Sequence, residues 1–97
     1  MGASRRPQPK RLARKLYLIR MGLKLTQEQM AEKLRDAPSP PRPADIARFE
    51  LGIREPSLPV LLYYARSVGV LVDTLVDDEL SLPQKLPQRA NRKKAKR

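Results

Sequence analysis

The stretch "LTQEQMAEKLRDAPSPPRPADIARFELG", Leu25 to Gly52, holds two short helix patterns separated by a connection rich in proline, with Pro38, Pro40, Pro41 and Pro43. Thr26 precedes the first pattern and Gln29 follows three residues on, the spacing of a capping box, with Leu25 and Met30 placed to staple the helix entrance. Met30, Ala31 and Leu34 then share one apolar edge. Each proline drives the residue before it out of the helical region, so this helix cannot run much past Arg35 or Asp36. Pro43 differs, because at a first helical position its missing N–H costs no bond and its fixed φ suits the helix. A second pattern therefore runs from about Pro43 to Leu51, with Ile46 and Phe49 inward and Gly52 as its stop.

Upstream, Leu12, Leu16, Ile19 and Leu23 recur at helical spacing. They predict a helix from Lys10 to Met21, ending near Gly22, with Arg11, Arg14, Lys15 and Arg20 on its other faces. Downstream, Ser57 is a candidate N-cap with Pro59 in the first turn. Leu58, Leu61, Leu62, Ala65 and Val68 mark the inward stripe of a fourth helix that Gly69 ends. A last short helix, about Val72 to Asp77, turns Leu75 and Val76 inward. With no strand pattern and no internal repeat, the chain reads as all-α, built from five short helices.

A length of 97 residues bounds the fold to one small domain. The formal charge of +11 points to a polyanion, nucleic acid first and an anionic membrane surface second. That charge sits at the ends: residues 1–15 carry six Lys or Arg, residues 81–97 carry seven, and neither segment has an acid. Between Leu16 and Leu80, eight basic residues face ten acidic ones. The expected organisation is a basic arm over 1–9, a folded domain over 10–80 and a disordered basic tail over 81–97. The arms suit nonspecific, salt-sensitive binding to DNA, or solubility, or ordering by RNA or a partner protein.

Having neither Cys nor His, the chain lacks disulfides, thiolate chemistry, the usual zinc ligands and the usual acid/base residue of neutral-pH catalysis. Its carboxylates form no visible catalytic group, so the expectation is a protein that is not an enzyme, with no cofactor and no small-molecule ligand evident. No apolar run approaches the roughly 18 residues of a membrane span, and the start has no secretory h-region. A cytoplasmic, nucleoid-associated location is the corresponding expectation.

The order "TQEQMAEKL", "ADIARFELG", "REPSLPVLLYYARSVGV" and "VDTLVDD" resembles the helix-turn-helix domain of phage Cro and repressor proteins, the XRE family, over Leu16 to Asp77. The resemblance implies a five-helix, lambda-repressor-like fold with disordered basic ends. It also implies that helix two crosses the DNA backbone while helix three enters the major groove. The implied function is sequence-specific binding of double-stranded DNA and transcriptional regulation. The alternative is the same scaffold used as a protein-interaction module or antitoxin-like partner.

Carried over position by position, Gln27 resembles a residue that bonds a phosphate, its other reading being an ordinary exposed glutamine. On helix three the outward positions are Ala44, Asp45, Arg48 and Leu51. Arg48 is the main base reader, able to make two bonds to guanine, or alternatively to reach a phosphate. Asp45 either accepts from a cytosine amino group or pairs with Arg42 or Arg48 and orients it. Ala44 either touches a thymine methyl or allows close approach. Arg42 and Arg54 are placed near phosphates.

Arg20 and Glu50 match positions that form an internal ion pair in many relatives, and loss of either partner would then cost roughly 3 to 5 kcal/mol. The sequence departs from the family between helices two and three, where the connection is about five residues longer than the usual three- or four-residue turn. Its prolines either stiffen the path so that helix three arrives at a fixed angle, or mark a neutral surface insertion. Leu51 replaces a frequent Asn. On helix four, Val60, Tyr63 and Tyr64 fall outside the inward stripe and lie near Leu71. Some complete the core, and apolar surface left over would suit a two-fold homodimer contact.

Overall fold

The computed structural model describes residues 9–83. Apart from Pro9 and Ser81 to Pro83, the basic arms lie outside the described residues. The described chain is all-α, with five helices and no strand: α1 (Leu12–Leu23), α2 (Gln27–Lys33), α3 (Pro43–Glu50), α4 (Leu58–Ser67) and α5 (Val72–Val76). Helix α1 packs against both α3 and α5, while α2 lies on α3 and α4 on α5. No helix among the described residues is long and apolar enough to cross a membrane.

The ends of these helices follow from local chemistry. Thr26 Oγ1 accepts from the Gln29 amide at 3.1 Å and Gln29 Oε1 accepts from the Thr26 amide at 2.8 Å, so α2 starts in a complete capping box. Ser57 Oγ accepts from the Val60 amide at 3.4 Å to start α4. Three helices stop alike, at residues in the left-handed region: Lys24 (φ 62°), Gly52 (φ 76°) and Gly69 (φ 72°). At each, the amide of that residue and the one after it bond back to the last turn, as in Leu25 N to Arg20 O at 3.2 Å and Ile53 N to Arg48 O at 3.0 Å, the Schellman arrangement. Helix α1 thus passes through Gly22, where the sequence suggested a stop. A glycine inside a helix costs about 1 kcal/mol, too little to end one that is packed on two sides.

The core gathers Leu12, Leu16 and Ile19 of α1, Met30 and Ala31 of α2, Ile46 and Phe49 of α3, and Leu75 of α5. Helix α4 adds Val60, Leu61, Tyr64 and Ala65, with Val68 behind them. Its buried face is therefore rotated from the expected stripe: Val60 and Tyr64 are in the core, while Leu58 is exposed. The physical reason is that Leu58 to Ala65 carries no charged residue, so no polar face orients it and several apolar stripes fit the same period. Val76, expected inward, is likewise exposed at the end of the five-residue α5.

Lys15 is the other correction. Its residue is only 2% exposed, and Nζ donates to the carbonyls of Thr74 at 2.7 Å and Asp77 at 3.0 Å. The alkyl stem packs inside and the ammonium caps the C-terminal end of α5, where unpaired carbonyls collect partial negative charge. Burial lowers the Lys15 pKa, with Arg11 next in effect.

Candidate nucleic-acid interface

Helix α3 presents Ala44, Arg48 and Leu51 to solvent along one edge, while Ile46 and Phe49 hold the opposite edge in the core. The connection that delivers it is anchored at several points. Ala37 and Pro41 are buried, the Ala37 amide bonds Leu34 O at 3.0 Å, and Ser39 takes a positive φ of 50°. Pro43 then opens the helix. The long proline-rich segment is therefore anchored to the domain at Ala37 and Pro41, with Pro38, Ser39 and Pro40 exposed between them.

Asp45 departs from its expected outward position. It is buried, with a side chain 12% exposed, because at the third helical position its carboxylate curls back over the helix entrance. Oδ2 accepts from the Arg42 backbone amide at 3.0 Å and faces Arg42 Nε at 3.5 Å. Oδ1 faces one guanidinium nitrogen of Arg48 and one of Arg54, each at 3.4 Å. This is half of a capping box, since arginine has no acceptor to return the bond. The Arg42 amide, ahead of the Arg42 and Arg54 guanidiniums, holds the Asp45 carboxyl below the usual carboxylate range despite its burial. Of the two readings of Asp45, the geometry is that of pairing, and it joins residues from before, within and after α3.

Gln27 points elsewhere. It is half-buried, and its Nε2 donates to Glu50 Oε1 at 3.3 Å, leaving one amide hydrogen for another acceptor. Glu50 is also held by Arg20 in a fork, Nε to Oε2 at 2.7 Å and one terminal nitrogen to Oε1 at 2.9 Å. The other terminal nitrogen of Arg20 donates to Leu25 O at 2.9 Å. With side chains 13% and 7% exposed, Arg20 and Glu50 form a largely desolvated pair, and with Gln27 they tie α1, α2 and α3 together. Its bond to the Glu50 carboxylate raises the Arg20 pKa further.

Tyr64 lies close enough to feel both charges of the pair. Burial first, and Glu50 second, push its phenol well above the ordinary tyrosine value. Its hydroxyl has no hydrogen-bond partner among the described residues.

Sequence reasoning missed two contacts that hold this framework. Asp78 accepts from the backbone amides of Lys10 at 2.8 Å and Arg11 at 3.0 Å, capping α1 from 67 residues away. Arg11 replies through Asp78 O at 2.6 Å and Ser81 Oγ at 2.9 Å. No local signal marks Asp78, since its partners are made adjacent only by the fold. Lys15 did carry a signal: positions 12, 15, 16 and 19 are one helical stripe, and a lysine within it is drawn toward the core.

The chain matches no protein-family model, no curated protein and no solved structure.

Proposed function

We propose that this chain is a sequence-specific double-stranded DNA-binding protein of the Cro/repressor helix-turn-helix type, acting as a transcriptional regulator. The observation that carries the reading is the exposed edge of α3, with Ala44 and Arg48 flanked by Arg42 at its entrance and Arg54 just beyond its end. In this reading Arg48 bonds a guanine edge, Ala44 meets a thymine methyl, and Arg42, Arg54 and the spare Gln27 amide hydrogen take phosphates. Asp45 contributes through the arginines it holds. Arg20 and Glu50 keep α3 seated on α1 and touch no DNA. Exposed Leu71, Val76 and Leu80 around α5 support a homodimer contact, which would set two α3 helices about 34 Å apart on a palindromic site.

A second reading is a scaffold that binds protein, favoured by Leu51 and Ile53, both exposed beside the arginines at the end of α3. Selection of bound duplexes from a random pool at about 0.15 M salt, using the full chain and Arg48→Ala, separates the two. The DNA reading predicts a motif from the full chain and relaxed preference at one base pair from the variant. Failure to enrich any motif would reject it in favour of a protein partner.

A further inference from the structure

Three arginines from three different segments meet at one buried carboxylate. Arg42 ends the proline-rich connection, Arg48 is on α3, and Arg54 follows the Schellman stop at Gly52. Their side chains are 78%, 47% and 62% exposed, whereas Asp45 between them is 12% exposed. Such guanidiniums on long flexible stems lose considerable rotamer freedom when they grip a ligand, and a shared anchor removes part of that cost beforehand.

The donor count decides what Asp45 does. A carboxylate offers about four lone-pair sites. Here the Arg42 amide, Arg42 Nε and one nitrogen each from Arg48 and Arg54 address them. No site remains for a cytosine amino group unless an arginine leaves. Each guanidinium has five N–H donors and spends one on Asp45, keeping most of its fork for phosphate or guanine. The contacts of 3.4 to 3.5 Å are long for charge-assisted bonds, so the arginines are aimed without being locked away from a ligand.

We propose that Asp45 is a positioning residue that makes Arg42, Arg48 and Arg54 a single DNA-gripping unit, so that sequence discrimination by Arg48 depends on a carboxylate that never touches a base. The proposal rests on the DNA-binding reading and adds a role that charge alone does not give. A carboxylate beside DNA phosphates repels them, so removing it should tighten binding to every sequence. As a positioning residue its removal loosens binding to the preferred sequence in particular. The proline-rich connection acquires a purpose on this account, since it places Arg42 and the α3 entrance where Asp45 reaches back to the Arg42 amide.

The test compares the full chain with Asp45→Asn on the selected duplex and on a random-sequence duplex at several salt concentrations. The expected result is a loss of about tenfold in the ratio of specific to random affinity, in line with one base contact. Random-duplex affinity should stay unchanged or rise. Equal tightening on both duplexes, or an unchanged ratio, would overturn the proposal. Thermal melts followed by circular dichroism check that the variant folds. If it does not, a cycle of Arg48→Ala and Arg54→Gln substitutes for it: the two losses should be coupled, because both side chains share Oδ1, and strict additivity would overturn the proposal. Should the unaltered chain bind neither duplex, the DNA reading itself fails and this proposal with it. An unaltered chain that discriminates beside a variant that discriminates equally well sinks only the role of Asp45.

Discussion

Arg20 and Glu50 illustrate how much of the framework depends on single side chains. The pair is bidentate, largely desolvated, and carries further bonds to Leu25 O and from Gln27, so its remaining polar groups are nearly all satisfied. Breaking such a pair strands a charge, whereas replacing both members with apolar groups of similar volume removes the desolvation cost as well. Arg20→Ala and Glu50→Ala should therefore each cost about 3 to 5 kcal/mol in urea unfolding. The double variant Arg20→Met/Glu50→Leu should lose less than either. A double variant that loses the sum of the two would mean that the side chains contribute independently and are not coupled as a pair. Tyr64 lies beside this pair with a hydroxyl that has no partner among the described residues, a cost that the surrounding apolar burial has to offset.

At the scale of elements, the structure makes some caps from neighbours in sequence and others from distant residues. Helix α1 begins without a side-chain cap of its own and borrows the Asp78 carboxylate. The Lys10 amide, and then that of Arg11, depress the Asp78 pKa, so the folded chain holds the ionised form preferentially. A depressed folded value gives stability that is complete above the ordinary carboxylate pKa of about 4 and is lost as pH falls through the folded value. Asp45 at the entrance of α3 follows the same sign. Urea midpoints for the unaltered chain and Asp78→Ala should differ by a constant amount near neutrality and converge as pH falls below about 4. A difference that persists unchanged into strong acid would show that the carboxylate's charge is not what caps α1.

The same division explains how far the sequence could be read. The start of α2 and both ends of α3 and α4 were legible because Thr26, Pro43, Gly52, Ser57 and Gly69 act within a turn of themselves. The buried face of α4 was not, because an apolar helix has no preferred side until its neighbours are placed. Among the site residues, the outward direction of Ala44 and Arg48 followed from helical period. The burial of Asp45, and its meeting with Arg54 nine residues on, required the turn after α3 to fold back.

For the whole molecule, α1 is the element that holds the others. Arg20 reaches α3 through Glu50, Lys15 reaches the end of α5, and Asp78 closes the chain back onto the start of α1. The acidic excess of the middle of the chain is partly consumed by this internal pairing, with Glu50, Asp45 and Asp78 all committed to bonds. What α3 leaves exposed is cationic, even though the segment as a whole is slightly acidic. Net charge alone would assign any DNA affinity to the ends of the chain, whereas the proposed function places recognition on the exposed edge of α3.

The most direct test of that assignment is amide chemical-shift mapping of the full chain titrated with duplex DNA at about 0.15 M salt. If α3 carries recognition, the largest perturbations fall at Arg42, Ala44, Arg48 and Arg54, with Gln27 following and the amides of α4 little changed. Perturbations confined to residues 1–9 and 84–97, with α3 unmoved, would contradict it and leave only nonspecific attraction between the basic ends and the polyanion.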